Sequence, residues 1–190
     1  MKIMVVDEDS GRRLILRNGL ERAGHVVVSA GLGAGNLPDL VAQSQPDVIV
    51  IDTNSPDRDT LEHVVLITEG TPRPIVMFSA DNNIEKIRDA VRAGVSAYVV
   101  DGLSSERVQP IIDVAIARFE PLQTLRADLL DAKSRLTERK TIERAKGLLM
   151  KKKTLSEDDA FRLLRKMAMD ENLTLGQVSA QVVRVAKLLF

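Results

Sequence analysis

The chain has 190 residues, 44% hydrophobic and 28% charged, with no cysteine, two histidines and seven prolines. That composition describes a soluble globular protein of one or two domains, and the absent thiols exclude disulfides, thiol catalysis and thiolate zinc sites. The net charge of zero hides a division: residues 1 to 121 hold 12 Lys/Arg against 18 Asp/Glu, and residues 122 to 190 hold 15 against 9. Basic side chains gain near phosphates by displacing condensed counterions, so the second part is expected to meet a nucleic acid or another acidic partner. No stretch has the length of a membrane span. The opening Met1 to Val6 runs into Asp7-Glu8-Asp9, where a secretory signal would need a longer apolar core, so a cytoplasmic protein is expected.

Five short runs rich in β-branched residues come first: Met1 to Val6, His25 to Ser29, Val48 to Ile51, Pro74 to Phe78 and Ala97 to Val100. Amphipathic segments near 10 to 23, 37 to 45, 60 to 69, 82 to 93 and 105 to 119 separate or follow them. The alternation predicts a doubly wound α/β domain, a five-stranded parallel sheet with helices on both faces. Ser10, Asn36, Asp59 or Thr60, Asp81 and Ser104 are available as N-caps, and Gly24, Gly70 and Gly94 sit where C-terminal stops belong. The loop Gly31-Leu32-Gly33-Ala34-Gly35 lacks the Lys-Ser/Thr of a phosphate-binding loop and reads as a flexible connection.

Ligands of doubly wound sheets bind outside the carboxyl ends of the strands. There the sequence offers Asp7 and Glu8 after the first strand, Asp52 at the third, Ser79 at the fourth and Asp101 after the fifth. Three carboxylates, Asp7, Glu8 and Asp52, converging on one pocket call for a hard cation such as Mg2+. Asp52 is then a candidate nucleophile for a phosphoryl group.

This arrangement resembles the receiver domain of bacterial two-component response regulators over nearly all of residues 1 to 120. The resemblance implies Asp7 and Glu8 as the acidic pair, Asp52 as phospho-acceptor, and Ser79 and Tyr98 as switch residues. One departure stands out: where that family places a phosphate-pairing lysine before a proline, this chain has Asp101 and Gly102. Phosphorylation of Asp52 by a histidine kinase and control by a protein partner therefore both stay open.

Beyond the sheet, the fifth helix is expected to reach Phe119, with a kink or break at Pro121. Leu122, Leu125, Leu129, Ala132 and Leu136 then alternate in spacings of 3 and 4, an a/d seam that predicts either a dimer or packing on the chain's own first domain. Residues 121 to 137 read as a helical linker, and 138 to 190 as an all-α three-helix bundle. Its first helix, 138 to 153, has Ile142, Ala145 and Leu149 as a buried stripe, with Arg139, Lys140, Arg144, Lys146 and Lys151 to Lys153 over the rest. Gly147 in its middle suggests close approach of another backbone or a ligand. Ser156 caps a second helix with Ala160, Leu164 and Met167 inward and Arg162, Arg165 and Lys166 outward or at an edge. Thr174 and Gln177 form a capping box before a third helix whose stripe is Leu175, Val178, Val182, Val185 and Leu189. Phe161 reads as core.

The run Glu143 to Met150, with Ala160-Phe161, Leu164-Arg165 and Ala168-Met169 after it, looks like the ANTAR output domain of transcription antiterminators, over about residues 135 to 190. The whole chain resembles the nitrate-assimilation antiterminators of the NasT type. That resemblance implies binding of paired hairpins in nascent leader mRNA, a cytoplasmic nitrate-sensor protein as partner, and a homodimer when active. Candidate RNA contacts are Arg139, Lys140, Arg144, Lys146, Gly147, Lys151 and Arg165. A DNA-binding response regulator and a protein-sequestering phosphorelay module are the alternatives. An enzyme is not expected, since beyond aspartyl-phosphate turnover at Asp52 no acid, base and nucleophile set is present.

Overall fold

The computed structural model describes residues 1–31, 37–100 and 105–189, and their side chains except at 105, 106, 153 and 187–189. Most of the glycine-rich loop, the caps expected at Asn36 and Ser104, and the Asp101-Gly102 pair lie outside the described residues. The chain divides into two compact units, Met1–Gln123 and Thr124–Phe190.

In the first unit the elements are β1 (Lys2–Asp7), α1 (Ser10–Arg22), β2 (Val26–Ala30), α2 (Leu37–Ser44), β3 (Val48–Thr53), α3 (Arg58–Gly70), β4 (Ile75–Ser79), α4 (Ile84–Ala93), β5 (Ala97–Val100) and the start of α5 (Ser105–Lys153). All strand pairs are parallel, in the order β2-β1-β3-β4-β5. β3 and β4 are buried along their whole length because helices cover both faces, which is why they read as unbroken apolar runs. Strand parity sorts the core. Met4, Val6, Ile49, Ile51, Ile75 and Met77 face Leu37, Val41, Val64, Ile67 and Ala90 of α2, α3 and α4. Ile3, Val5, Val48, Val50, Val76 and Phe78 pack on Leu16 and Leu20 of α1 and Val108, Ile112 and Ala115 of α5.

Several caps differ from those expected. Asp9 caps α1 in place of Ser10, accepting from the N–H groups of Gly11 and Arg12. Asp57 caps α3 rather than Asp59 or Thr60, and Asn83 caps α4 rather than Asp81. In each case the cap is the extended residue at the helix entrance; Ser10, Asp59 and Thr60 already lie inside their helices, and Asp81 instead accepts from the N–H of Asn83. Gly94 ends α4 with φ 115°, a left-handed turn, and Gly24 follows α1 with φ 85°. Gly70 remains helical, and Thr71 is the C-cap of α3.

The break expected at Pro121 is absent. α5 continues as one 49-residue helix through both Pro110 and Pro121. An interior proline costs about 3 kcal/mol locally, since it removes one hydrogen bond and crowds the carbonyl four residues before it, and α5 carries that cost at both sites. Leu122, Leu125, Leu129 and Leu136 are each more than half exposed, so the seam finds no cover among the described residues.

α6 (Glu157–Glu171) begins at Ser156, as its acidic first turn implied, and ends at Asn172 in the left-handed region. The capping box before α7 (Leu175–Leu189) forms in both directions, Thr174 N–H to Gln177 Oε1 at 2.8 Å and Gln177 N–H to Thr174 Oγ1 at 3.2 Å. The small core of this unit is Ala145, Leu164, Ala168 and Val178, bordered by Leu149, Met167, Leu175, Val182 and Val183. Two expected core positions are exposed, and the side chain of a third, Leu189, lies outside the described residues. Val185 is 53% exposed, its place on α7 taken by Val183, and Phe161 is 40% exposed. With so little interior in three helices, an apolar side chain one position off the shared face stays at the surface.

Candidate functional site

The carboxyl ends of β1 and β3 lie side by side with Asp7 and Asp52 in register. Asp7 is fully buried; its Oδ1 accepts from the N–H of Asp9 at 2.7 Å and from Nη2 of Arg12 at 3.2 Å. Its other oxygen is buried with no hydrogen-bond partner. The same guanidinium reaches the second carboxylate, with Nε of Arg12 3.5 Å from Oδ2 of Asp52. Arg13 donates to the carbonyl oxygens of Asp7 at 2.7 Å and Ala30 at 3.3 Å, holding the ends of β1 and β2 together.

Burial first, and then the negative charge of Asp7, push the Asp52 carboxyl from its ordinary 3.8 up to about 6, while Arg12 pulls the other way. Glu8 does not join this pair: it is exposed, and no three acidic side chains are grouped for a metal ion among the described residues. The expected trio is therefore a duo, because Glu8 lies past the strand end where its side chain reaches water. Two carboxylates still suit a hard divalent cation that keeps several waters, and the unpartnered buried oxygen of Asp7 is an acceptor such an ion would satisfy. Asp7 and Asp52 are the residues that would hold Mg2+.

Ser79 follows on the next strand. It is buried, donates to the carbonyl of Asn54 at 3.0 Å and accepts from the N–H of Asp81 at 3.1 Å. The hydroxyl of Tyr98 donates to the Asp81 carbonyl at 2.9 Å. Asp81 is thus the hub that links Ser79 to Tyr98, a part the sequence did not reveal. Its carboxylate accepts from Ser55 at 2.7 Å and pairs with Lys86 at 3.0 Å. Those bonds, Ser55 foremost, hold it down at about 2.

The second unit carries the basic residues in two states. Lys146 is spoken for: its side chain is only 11% exposed, with Nζ 2.7 Å from Glu157 and 3.0 Å from Glu143. It does not lie on the open surface where the sequence placed it, because one turn of α5 brings it against the first turn of α6. Lys140 and Arg144 of α5 instead meet Arg184 of α7 around a groove of about 430 Å³, floored by Ala180 and Val183. A continuing groove of about 630 Å³ adds Lys133, Ser134 and Glu138. Lys140, Arg144 and Arg184 have no ion pair among the described residues, so three cations face one channel uncompensated. Arg184 was missed because it sits on a helix that the sequence identified by its apolar stripe alone.

Arg165 lies elsewhere, in a cleft of about 440 Å³ beside Phe161, Met169 and Asn172. Arg139 and Lys151 are exposed. Around Gly147 an added methyl would meet nothing within 4 Å, so no close packing among the described residues explains the glycine.

Comparison with known proteins divides the chain at similar places. The response regulator receiver domain family matches residues 3–113, and the ANTAR domain family matches residues 130–183. The chain is 29% identical to the transcriptional regulatory protein PdtaR of Mycobacterium tuberculosis, over 96% of this chain and 89% of that protein. It is 28% identical to the chemotaxis protein CheY1 of Helicobacter pylori, over 61% of this chain and 97% of that one. A response regulator from Thermotoga maritima shares the fold of the first unit, with TM-score 0.51 and 25% identity, covering 59% of this chain and 97% of that structure.

Proposed function

Because the chain belongs to the response regulator receiver family and carries an ANTAR domain after the receiver, we propose that it is a transcription antitermination regulator that binds paired hairpins in nascent leader mRNA. The observation that carries this reading is the groove where Lys140, Arg144 and Arg184 converge without an ion pair among the described residues. Phosphates would complete that charge balance, and Thr137 and Thr141 line the same wall, their hydroxyls donating to the carbonyls of Lys133 and Thr137. Residues 1 to 120 act as the receiver, 121 to 137 as the connecting helix and 138 to 190 as the RNA-binding part. Arg139, Lys151 and Arg165 add to the contact surface, and Gly147 lets the RNA backbone come close to α5.

The receiver sets the output through a partner, a histidine kinase acting on Asp52 or a cytoplasmic nitrate sensor, in a nitrate or nitrite assimilation system. The exposed leucine seam of α5 joins two copies in the active state. Similarity to a protein titled a transcriptional regulatory protein supports a transcriptional role. The resemblance to nitrate-assimilation antiterminators is what points to the signal.

The test is a binding titration of the full chain against a two-hairpin leader RNA, a single hairpin, and duplex DNA of the same sequence. Preference for the paired hairpins is expected. Equal or tighter binding to the duplex would transfer the reading to a DNA-binding regulator, and binding to none of the three would leave a protein-sequestering module.

A further inference from the structure

Arg12 is placed with unusual constraint for a surface arginine. It is the third residue of α1, and its own N–H donates to the capping carboxylate of Asp9 at 2.9 Å, which fixes the backbone from which it extends. The N–H of Asp9 in turn holds Oδ1 of Asp7 at 2.7 Å. From this frame one guanidinium spans two carboxylates that belong to different strands, with Nη2 at 3.2 Å from Asp7 and Nε at 3.5 Å from Asp52.

A guanidinium is planar, permanently charged and weakly hydrated, so it can serve two carboxylates at once in a half-buried position. Both separations are longer than the 2.7–2.9 Å or so of a close charge-assisted bond. The Arg12 side chain is also 43% exposed, free on its outer side to swing into water. It is therefore held in the pocket by charge and not by packing.

We propose that Arg12 is a tethered counter-cation of the acidic pocket: its ion pairs to Asp7 and Asp52 and the binding of a divalent cation between those carboxylates exclude each other. Both would draw on Asp52, whose Oδ2 Arg12 reaches, and two cations within a few ångströms of one another repel. Arg12 then leaves the pocket when an ion enters, and without an ion it offsets one of the two carboxylate charges. The buried, unpartnered Oδ2 of Asp7 marks the acceptor that Arg12 leaves unsatisfied and that an incoming ion would take. This inference concerns the receiver alone and stands whether or not the second unit binds RNA.

The experiment is a titration of the full-length protein with Mn2+, read by the loss of the free-ion electron paramagnetic resonance signal and reversed by Mg2+. Arg12→Gln should bind Mn2+ at least tenfold more tightly than the unchanged protein. Arg12→Lys, which keeps the charge but cannot fork to both carboxylates, should fall between. Mg2+ should raise the melting temperature of Arg12→Gln and leave that of the unchanged protein nearly still. Adding Asp52→Asn to Arg12→Gln should abolish the tight site. Equal Mn2+ affinity with and without Arg12 overturns the proposal, as does a tight site that survives Asp52→Asn. If Arg12→Gln does not fold, Arg12→Lys decides alone: tighter binding supports the proposal, and binding no tighter than in the unchanged protein overturns it.

Discussion

Nζ of Lys146 lies 2.7 Å from Oε1 of Glu157, tying the basic helix α5 to the first turn of α6. The pair raises the lysine and lowers the glutamate from their ordinary values, each chiefly through their shared hydrogen bond. Glu157 also sits with Asp158 and Asp159 at the positive end of the α6 dipole, so the contact fixes where that helix begins. A cation used in this way has little charge left for phosphate. Lys146→Ala should therefore lower the melting temperature of the second unit and leave the salt dependence of RNA binding almost unchanged. Lys140→Ala and Arg184→Ala should do the reverse, each reducing the slope of log affinity against log salt by about 0.7–0.9. The check is RNA titration at four salt concentrations. An equal loss of slope in Lys146→Ala would show that the ion pair opens on binding.

Among the described residues of the first unit, Asp52 is the one carboxyl held clearly above its ordinary value, from 3.8 to about 6, by burial and by Asp7. Between those two values the folded chain holds a proton that the unfolded chain has released. The contribution of this group to stability is therefore greatest below about pH 4 and is lost as pH rises through about 6. Discounted for screening by the water that reaches the pocket mouth, the elevation corresponds to about 1–2 kcal/mol. With chelator present to keep metal away, Asp52→Asn should gain on the unchanged protein by about that amount between pH 4 and 7, and stay level beyond. Asp9, Asp57 and Asp81 are shifted downward and act in the opposite sense, but they are common to both proteins and cancel in the difference. Denaturant curves at five pH values measure it; parallel stability profiles would show that Asp52 is not perturbed.

The sheet was legible because a strand covered on both faces leaves an unbroken apolar signature, as Val48 to Ile51 and Ile75 to Phe78 do. Asp7, Asp52 and Ser79 were legible for a related reason: polar residues that directly follow such runs lie at the strand ends, where the topology gathers them. Arg12 and Asp81 were not, since their roles depend on which way a side chain turns after the strand has ended. The ion pairs of Lys146 and the place of Arg184 at the basic groove were hidden for the same reason. A helical period tells which face a residue occupies, but whether a carboxylate from the next helix waits there is a tertiary fact. The N-caps of α1, α3 and α4 moved by up to three residues because Asp, Asn and Ser crowd those three entrances, and only the backbone angle selects among them.

The leucine seam of α5 supplies a prediction about assembly. Leu125 is 65% exposed and Leu129 52%. Apolar burial is worth about 25 cal/mol per Å², so a helix showing four leucines along one stripe gains by meeting a copy of itself. Replacing Leu125 and Leu129 together with Lys should leave helix content unchanged and shift the chain to monomer in analytical ultracentrifugation. A chain that is monomeric before the substitution, with and without RNA, would remove the seam from the dimer reading.

Gly94 and Gly147 should respond to alanine in opposite directions. At Gly94 the backbone has φ 115°, and an added Cβ would lie 2.4 Å from Oγ1 of Thr68, itself anchored by a hydrogen bond to Val64. Alanine there must either leave the left-handed turn or displace α3, a loss of about 2–3 kcal/mol. At Gly147 the helix is regular and the space open, so alanine should stabilise the second unit by about 1 kcal/mol through helix propensity alone. The interest lies in pairing that gain with affinity. If RNA comes within reach of the α5 backbone at this point, Gly147→Ala gives a more stable protein that binds more weakly. A stabilised protein with undiminished affinity would take Gly147 out of the interface and leave its presence in mid-helix to be explained by something other than RNA.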